Sequence, residues 1–196
     1  AKLTTLPGSK SMTMRLNMGT TDSRVSPVVD TQRMGTILTS NRVDSVVSNY
    51  VTDNRVKTID EDPTAFQYLS KEIALENPAT SIKVIVDVYK NRDADIRGFF
   101  AISDHQNFNP IYEAFPGFNN LNERGQIIDV ANSDGLPDVS VPASTSLEHE
   151  EPDFKEHTFT IDELPSFKSY RIKLLMTSTN QAYVPQIRNL RVIALA

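Results

Sequence analysis

The stretch that decides the fold is the last one, SYRIKLLMTSTNQAYVPQIRNLRVIALA (residues 169–196). In its first part Tyr170, Ile172, Leu174 and Met176 fall on one side of an extended chain, and Arg171, Lys173 and Thr177 on the other. That is the period-2 alternation of a strand, with Leu175 as the exception. In its last part Ile187, Leu190, Val192 and Ala194 do not keep one period, and the shift between Ile187 and Leu190 predicts a bend or bulge. Beyond it LRVIAL (190–195) is nearly continuously apolar, which predicts a strand covered on both faces or placed at the centre of a sheet. Pro185 stands just ahead of this strand, where its missing N–H harms a ladder least.

The same signature recurs upstream. SIKVIVDVY (81–89) places Ile82, Val84, Val86 and Val88 on one face and is β-branched almost throughout. DIRGFFAIS (95–103) follows the turn-like KNRDA, so residues 81–103 read as a hairpin. NPIYEAF (109–115) and EHTFTID (156–162) are shorter strand candidates. AFQYLSKEIALE (65–76) has a spacing and composition that tolerate a helix, but it feeds Asn77-Pro78 and a strand-rich region and reads as strand. Near the start SMTMRLNMG (11–19) alternates strictly, and QRMGTILTS (32–40) is a second short run. NRVDSVVSNYVTDNRVKTIDEDP (41–63) is polar and weakly patterned and reads as an exposed connection.

Several short strands separated by turn signals predict an all-β protein, a β-sandwich of jelly-roll type over residues 63–196. Residues 1–62 read as an extended N-terminal arm and linker with short strands. The sandwich holds a long loop at about 115–154. Loops beyond ~15 residues without structure of their own are uncommon and tend to be functional or disordered. Phe115, Phe118, Leu121, Ile127 and Ile128 predict a packed first half, whereas the Ser/Pro/Glu-rich second half reads as mobile.

Composition excludes several functions. A chain of 196 residues buries roughly 70% of its unfolded surface and needs no covalent staples to fold. It has no cysteine, which removes disulfides, thiolate metal sites and cysteine nucleophiles together. The net charge is −5 with both signs interspersed, and without a basic block no nucleic-acid partner is expected. No apolar run approaches the ~20 residues that span a bilayer, so no membrane partner is expected either.

Three features invite a chemical reading. Asp129, Asn132, Asp134 and Asp138 in DVANSDGLPD are closely spaced oxygen donors around a glycine, as calcium loops are. Val130 and Val141 stand where an EF-hand needs acids, and consecutive turns explain the same residues. Asp93 and Asp95 are two residues apart, a spacing that puts two carboxylates on one strand face, but a turn accounts for them as well. His105, His149 and His157 show no zinc-motif spacing, and the last two read as part of a solvated acidic face within LEHEEPDFKEH (147–157). No nucleophile elbow, P-loop or dinucleotide fingerprint is present. The sequence therefore predicts no catalytic residues, metal site or cofactor.

The arm carries an apolar cluster, Val25, Val28, Val29, Met34, Ile37 and Leu38, around an extended Ser26-Pro27 step. An arm cannot bury these by itself. They must pack on the body or on a neighbouring chain, and we expect them to be assembly contacts.

Five segments together resemble a known family. SPVVDTQRMGTIL, ENPATSIKVIVDVY, DADIRGFF, PGFNNLNERGQIIDVANSDGLPD and the closing SYRIKLLMTSTNQAYVPQIRNLRVIALA look like the C-terminal region of large structural proteins of the tail and baseplate of contractile-tailed bacteriophages. The resemblance runs in order from about Ser26 to Ala196. It implies a non-enzymatic virion component, assembled in the host cytoplasm, whose partners are other virion structural proteins including copies of itself. It also implies the end of a longer polypeptide. The alternative is a carbohydrate-binding module for host attachment, with a glycan as partner and Tyr112, Phe115 and Phe118 as aromatic platforms. The lack of tryptophan counts against it.

Overall fold

The computed structural model describes residues 15–22, 24, 27–29, 47–64, 66–145, 152–179 and 184–196. The chain forms two compact units, Ala1–Thr39 and Ser40–Ala196. In the first unit the described residues carry no strand. The alternation of SMTMRLNMG does not produce one over its described part, 15–19, and Leu16 and Met18 are exposed. A strand is stable only with a partner, and alternation alone does not supply one. The second run, QRMGTILTS, lies outside the described residues.

The second unit is an all-β sandwich. Its strands are β1 (Gln67–Leu69), β2 (Ile73–Ala79), β3 (Ser81–Tyr89), β4 (Ala94–Ser103), β5 (Glu113–Ala114), β6 (Lys155–Ile161), β7 (Phe167–Ser178) and β8 (Gln186–Leu195). In one antiparallel sheet β7 is central, with β4 and then β5 on one side. β1 and β2 lie end to end on its other side, Leu69 opposite Lys173 and Ile73 opposite Tyr170. Ser70 bridges the gap between them: its N–H donates to the Ile172 carbonyl (2.9 Å) and its Oγ accepts from the Ile172 N–H (2.8 Å). AFQYLSKEIALE is thus strand over Gln67–Leu69 and from Ile73 onward, as its context predicted. The other sheet runs β6-β3-β8, also antiparallel.

The two sheets bury one core. Ile82, Val84, Val86 and Val88 of β3 face Ile96 and Phe100 of β4 and Ile172, Leu174 and Met176 of β7. The apolar sides read from the sequence in β3 and β7 are these core-facing sides. One expectation fails here: 81–103 is not a hairpin. β3 pairs with β6 and β8, whereas β4 pairs with β7 and β5, so KNRDA carries the chain from one layer to the other. β3 has one apolar face and suits a sheet with a solvated outside. β4 also carries Phe99 and Ala101 on its second face and needs cover on both.

That second cover is an outer layer. Val47 and Val56 pack with Phe99, Ala101, Tyr112 and Leu175 in a second buried cluster. Leu175, the exception to alternation in β7, is the residue that meets it. The connection 41–63, expected to be exposed, is therefore an integral part of the unit where it is described. Val56 is fully buried at the 3-10 turn Asn54–Lys57, which Asp53 caps by accepting from the Arg55 N–H. Burying one such side chain contributes about 1.5–3 kcal/mol.

The strand covered on both faces is β7, not β8. β8 pairs with β3 alone among the described residues, and its side chains alternate between half-buried and exposed. The predicted bulge is present: the β3–β8 register shifts between Ile85 and Asp87, opposite Arg188–Arg191. Asn189 takes up the extra residue at φ 53°, a left-handed conformation that asparagine tolerates.

Candidate functional site

The predicted assembly contacts divide between described and undescribed residues. Val28 and Val29 are exposed, at 90% and 38%. Val25, Met34, Ile37 and Leu38 lie outside the described residues. On the sandwich itself the exposed feature is β8. Sheet edges expose unpaired backbone groups, and proteins usually blunt them. The β6 edge is blunted: the Asp138 N–H donates to the Thr158 carbonyl (2.7 Å), and the Asp138 carboxylate accepts from the Thr160 N–H (2.8 Å) and Oγ1 (2.7 Å). The β4 edge is closed by the same loop, through Gly98 N–H to the Gly135 carbonyl (2.7 Å). β2 carries Pro78 and a register irregularity. β8 has ten residues; a bulge at Asn189 interrupts it, and beyond the bulge Ile193 and Leu195 are about half exposed (43% and 52%).

The acidic loop is used for structure. Asp129 caps a 3-10 turn, accepting from Ala131 N–H and Asn132 Nδ2 at 2.9 Å each. Asp134 accepts from the Leu136 N–H (3.0 Å) and lies 3.5 Å from Arg97. Burial raises the pKa of Asp138, against the two hydrogen bonds from Thr160 that lower it. These carboxylates serve separate turns and edges rather than one centre. Among the described residues no group of three or more His, Asp or Glu could hold a metal ion. The loop's first half packs less completely than predicted: Phe115 is buried and Phe118 half-buried, but Ile128 is exposed. Residues 146–151 of its second half lie outside the described residues.

Asp93 and Asp95 line one cavity with Arg97 and Asp134, and each is engaged by a different partner. Asp93 belongs to the turn before β4, and its carbonyl accepts from the Thr179 N–H (2.9 Å). Asp95 accepts from Arg97 Nε at 2.6 Å, and Arg97 also donates to the Asp134 carbonyl (2.9 Å) and stacks 4.7 Å over the Tyr50 ring. The network binds the outer segment, β4 and the long loop together.

His157 departs from its expected place on a solvated acidic face. It lies on β6 and is 1% exposed, in the row of side chains that includes Phe159 and Ile161. Its Nδ1 lies 2.9 Å from the Lys155 carbonyl, which can only accept, so Nδ1 carries the proton and Nε2 is a bare acceptor without a hydrogen-bond partner. Burial lowers its pKa; the Lys155 carbonyl opposes this, Lys90 adds to it, Asp95 opposes it and the Lys155 charge adds to it. The ring lines a cavity of about 160 Å³ with Asp95, Phe118 and Ser140. His105 is exposed beside Asp104 (2.6 Å), whose pKa it lowers through that contact. His149 lies outside the described residues.

One pair was missed from sequence. Lys173 of β7 and Asp62 form an ion pair in which both side chains are 0% exposed. Lys173 Nζ also donates to the Val56 and Thr58 carbonyls, at 2.8 Å each, and lies 5.2 Å over the Tyr112 ring. Burial lowers the lysine pKa, and the contact with Asp62 opposes that shift. The available signal was a lysine sharing its strand face with the anomalous Leu175, which together mark a covered face. The partner, in a polar segment far along the chain, left no local trace.

Of the three aromatic platforms of the glycan reading, Tyr112 and Phe115 are fully buried and Phe118 is half-buried. Among the described residues no helix is long and apolar enough to cross a membrane. No family model matches this chain, and no curated protein matches it.

Proposed function

We infer that this chain is a non-enzymatic structural component of a bacteriophage tail or baseplate, joining neighbouring virion proteins through its arm and its sandwich surface. The observation that supports an assembly role is the asymmetry of the sheet edges. Side-chain and loop contacts close the β6 and β4 edges, while among the described residues β8 beyond its bulge at Asn189 keeps an edge with exposed Ile193 and Leu195. An open edge accepts an added strand through backbone hydrogen bonds, with side chains supplying selectivity. Repetition in a particle then turns modest single contacts into a stable assembly. The five segments that resemble tail and baseplate proteins supply the virion setting.

The test is incorporation into particles. Replacing Ile193 and Leu195 together by aspartate leaves the sandwich folded, since both side chains are about half exposed, and lowers incorporation of the chain into assembled particles. Deleting residues 1–39 has the same effect on incorporation. Wild-type incorporation of both variants overturns the reading. Reproducible glycan binding by the intact chain, lost in Phe118→Ala, favours the carbohydrate-binding alternative instead.

A further inference from the structure

Lys173 and Asp62 are arranged for more than charge pairing. The lysine nitrogen is held from two directions by the Val56 and Thr58 carbonyls, at 2.8 Å each. The third direction of the tetrahedral nitrogen faces the Asp62 carboxyl group. There Nζ and Oδ2 form a close ion pair. Asp62 is fixed in turn, because its Oδ1 accepts from the Thr64 N–H at 2.8 Å. Neither side chain is exposed at all, and the Tyr112 ring covers the nitrogen. A nucleophile and an electrophile thus sit in contact, pre-oriented and dry.

We propose that Lys173 and Asp62 condense to an isopeptide bond, which staples the segment leading into β1 to the central strand β7. The ammonium gives its third proton to the carboxylate. This leaves a neutral amine, whose two remaining N–H bonds still donate to Val56 and Thr58, and a neutral carboxylic acid. The lone pair exposed by that transfer points at Asp62, and the Nζ–Cγ bond forms. The tetrahedral carbon then loses its hydroxyl, which leaves with one proton from the nitrogen as a water molecule. One amide N–H remains to donate to a backbone carbonyl. Atoms and charge balance with no oxidant, reductant or metal.

Three physical factors favour the step. Fixed contact replaces an encounter, which removes most of the entropic barrier to joining two groups. Burial favours the neutral amine over the ammonium, the direction in which Lys173 is shifted. The product removes two buried charges, and a site without water resists hydrolysis back to them.

Intact mass spectrometry of the denatured full chain tests this directly. The expected wild-type mass is lower than the sequence mass by one water molecule, with a digest fragment in which residues 62 and 173 are joined. Asp62→Asn is expected to lose one ammonia instead, because the same attack then expels the amide nitrogen. Asp62→Ala and Lys173→Arg keep their sequence masses. A wild-type chain at its full sequence mass, fresh and after prolonged incubation at neutral pH, overturns the proposal. So does a water loss that maps to the Asp134-Gly135 step, where a succinimide would form. The wild-type measurement decides the matter even where a variant fails to fold.

Discussion

Gly98 of β4 and Phe159 of β6 meet across the two sheets so closely that a Cβ on the glycine would stand 2.8 Å from the Phe159 ring and 3.1 Å from that of Phe115. A glycine in the middle of a strand is ordinarily a weakness. Here it is the hollow that admits two aromatic rings, with Phe115 tilted between Phe100 (5.1 Å) and Phe159 (5.8 Å). The same residue anchors the long loop through the Gly135 carbonyl and the Phe115 N–H. Core packing and loop placement therefore share one position.

Gly98→Ala is expected to destabilise the sandwich by about 1–3 kcal/mol, the usual cost of overpacking a filled core. The rings are the inner parts of buried side chains and cannot swing aside. Urea denaturation, read as a fall in the transition midpoint at constant slope, measures it. A midpoint equal to that of the wild type would show that the rings relax freely.

Truncation separates the outer layer from the arm. A chain beginning at Ser40 is expected to fold with the stability of the full chain, since the compact unit starts there. A chain beginning at Pro63 loses Val47, Val56 and Asp62 and leaves Lys173 buried without its partner. Removing one partner of a buried pair costs about 3–5 kcal/mol. Thermal unfolding of the two truncated chains provides the comparison, and equal midpoints would refute the role of residues 47–62.

His157 makes the fold sensitive to acid. Its pKa is lowered in the folded state, so the unfolded chain takes the proton more readily. Its contribution is complete above the ordinary histidine value of about 6.5 and declines as the pH falls below it. The slope for one proton reaches about 1.4 kcal/mol per pH unit. Glu72 and Asp104, whose pKa values are lowered by hydrogen bonds, lose their contributions only at more acidic pH, in the carboxylate range. Denaturant titrations between neutral and mildly acidic pH are expected to show this decline in the wild type and a flatter profile in His157→Gln. The same slope in both proteins would place the effect elsewhere.

Much of the strand content was legible in short windows. Ser81–Tyr89 announces itself by its β-branched alternation, and the bulge at Asn189 by a break in period between Ile187 and Leu190. The expected assembly contacts rest on an apolar cluster in the arm sequence, of which Val28 and Val29 are exposed. The buried pair was not legible. Nothing local distinguishes Asp62 from Asp60 or Glu61, and what sets it apart is a lysine on a strand that lies next to it after folding.

Alternation and turn chemistry are properties of a few adjacent residues, so the sequence by itself determined that this is a β protein and where most of its strands run. Partner choice belongs to the whole chain, because it depends on how many faces of each strand must be covered and by what. β3 and β4 are neighbours in sequence but lie in opposite sheets. β4 and β7 carry apolar side chains on both faces, and segment 47–62 supplies the outer cover they need. Tertiary structure alone decided that a polar-looking connection would become a layer of the fold, and that β8 rather than β7 would be left at the edge.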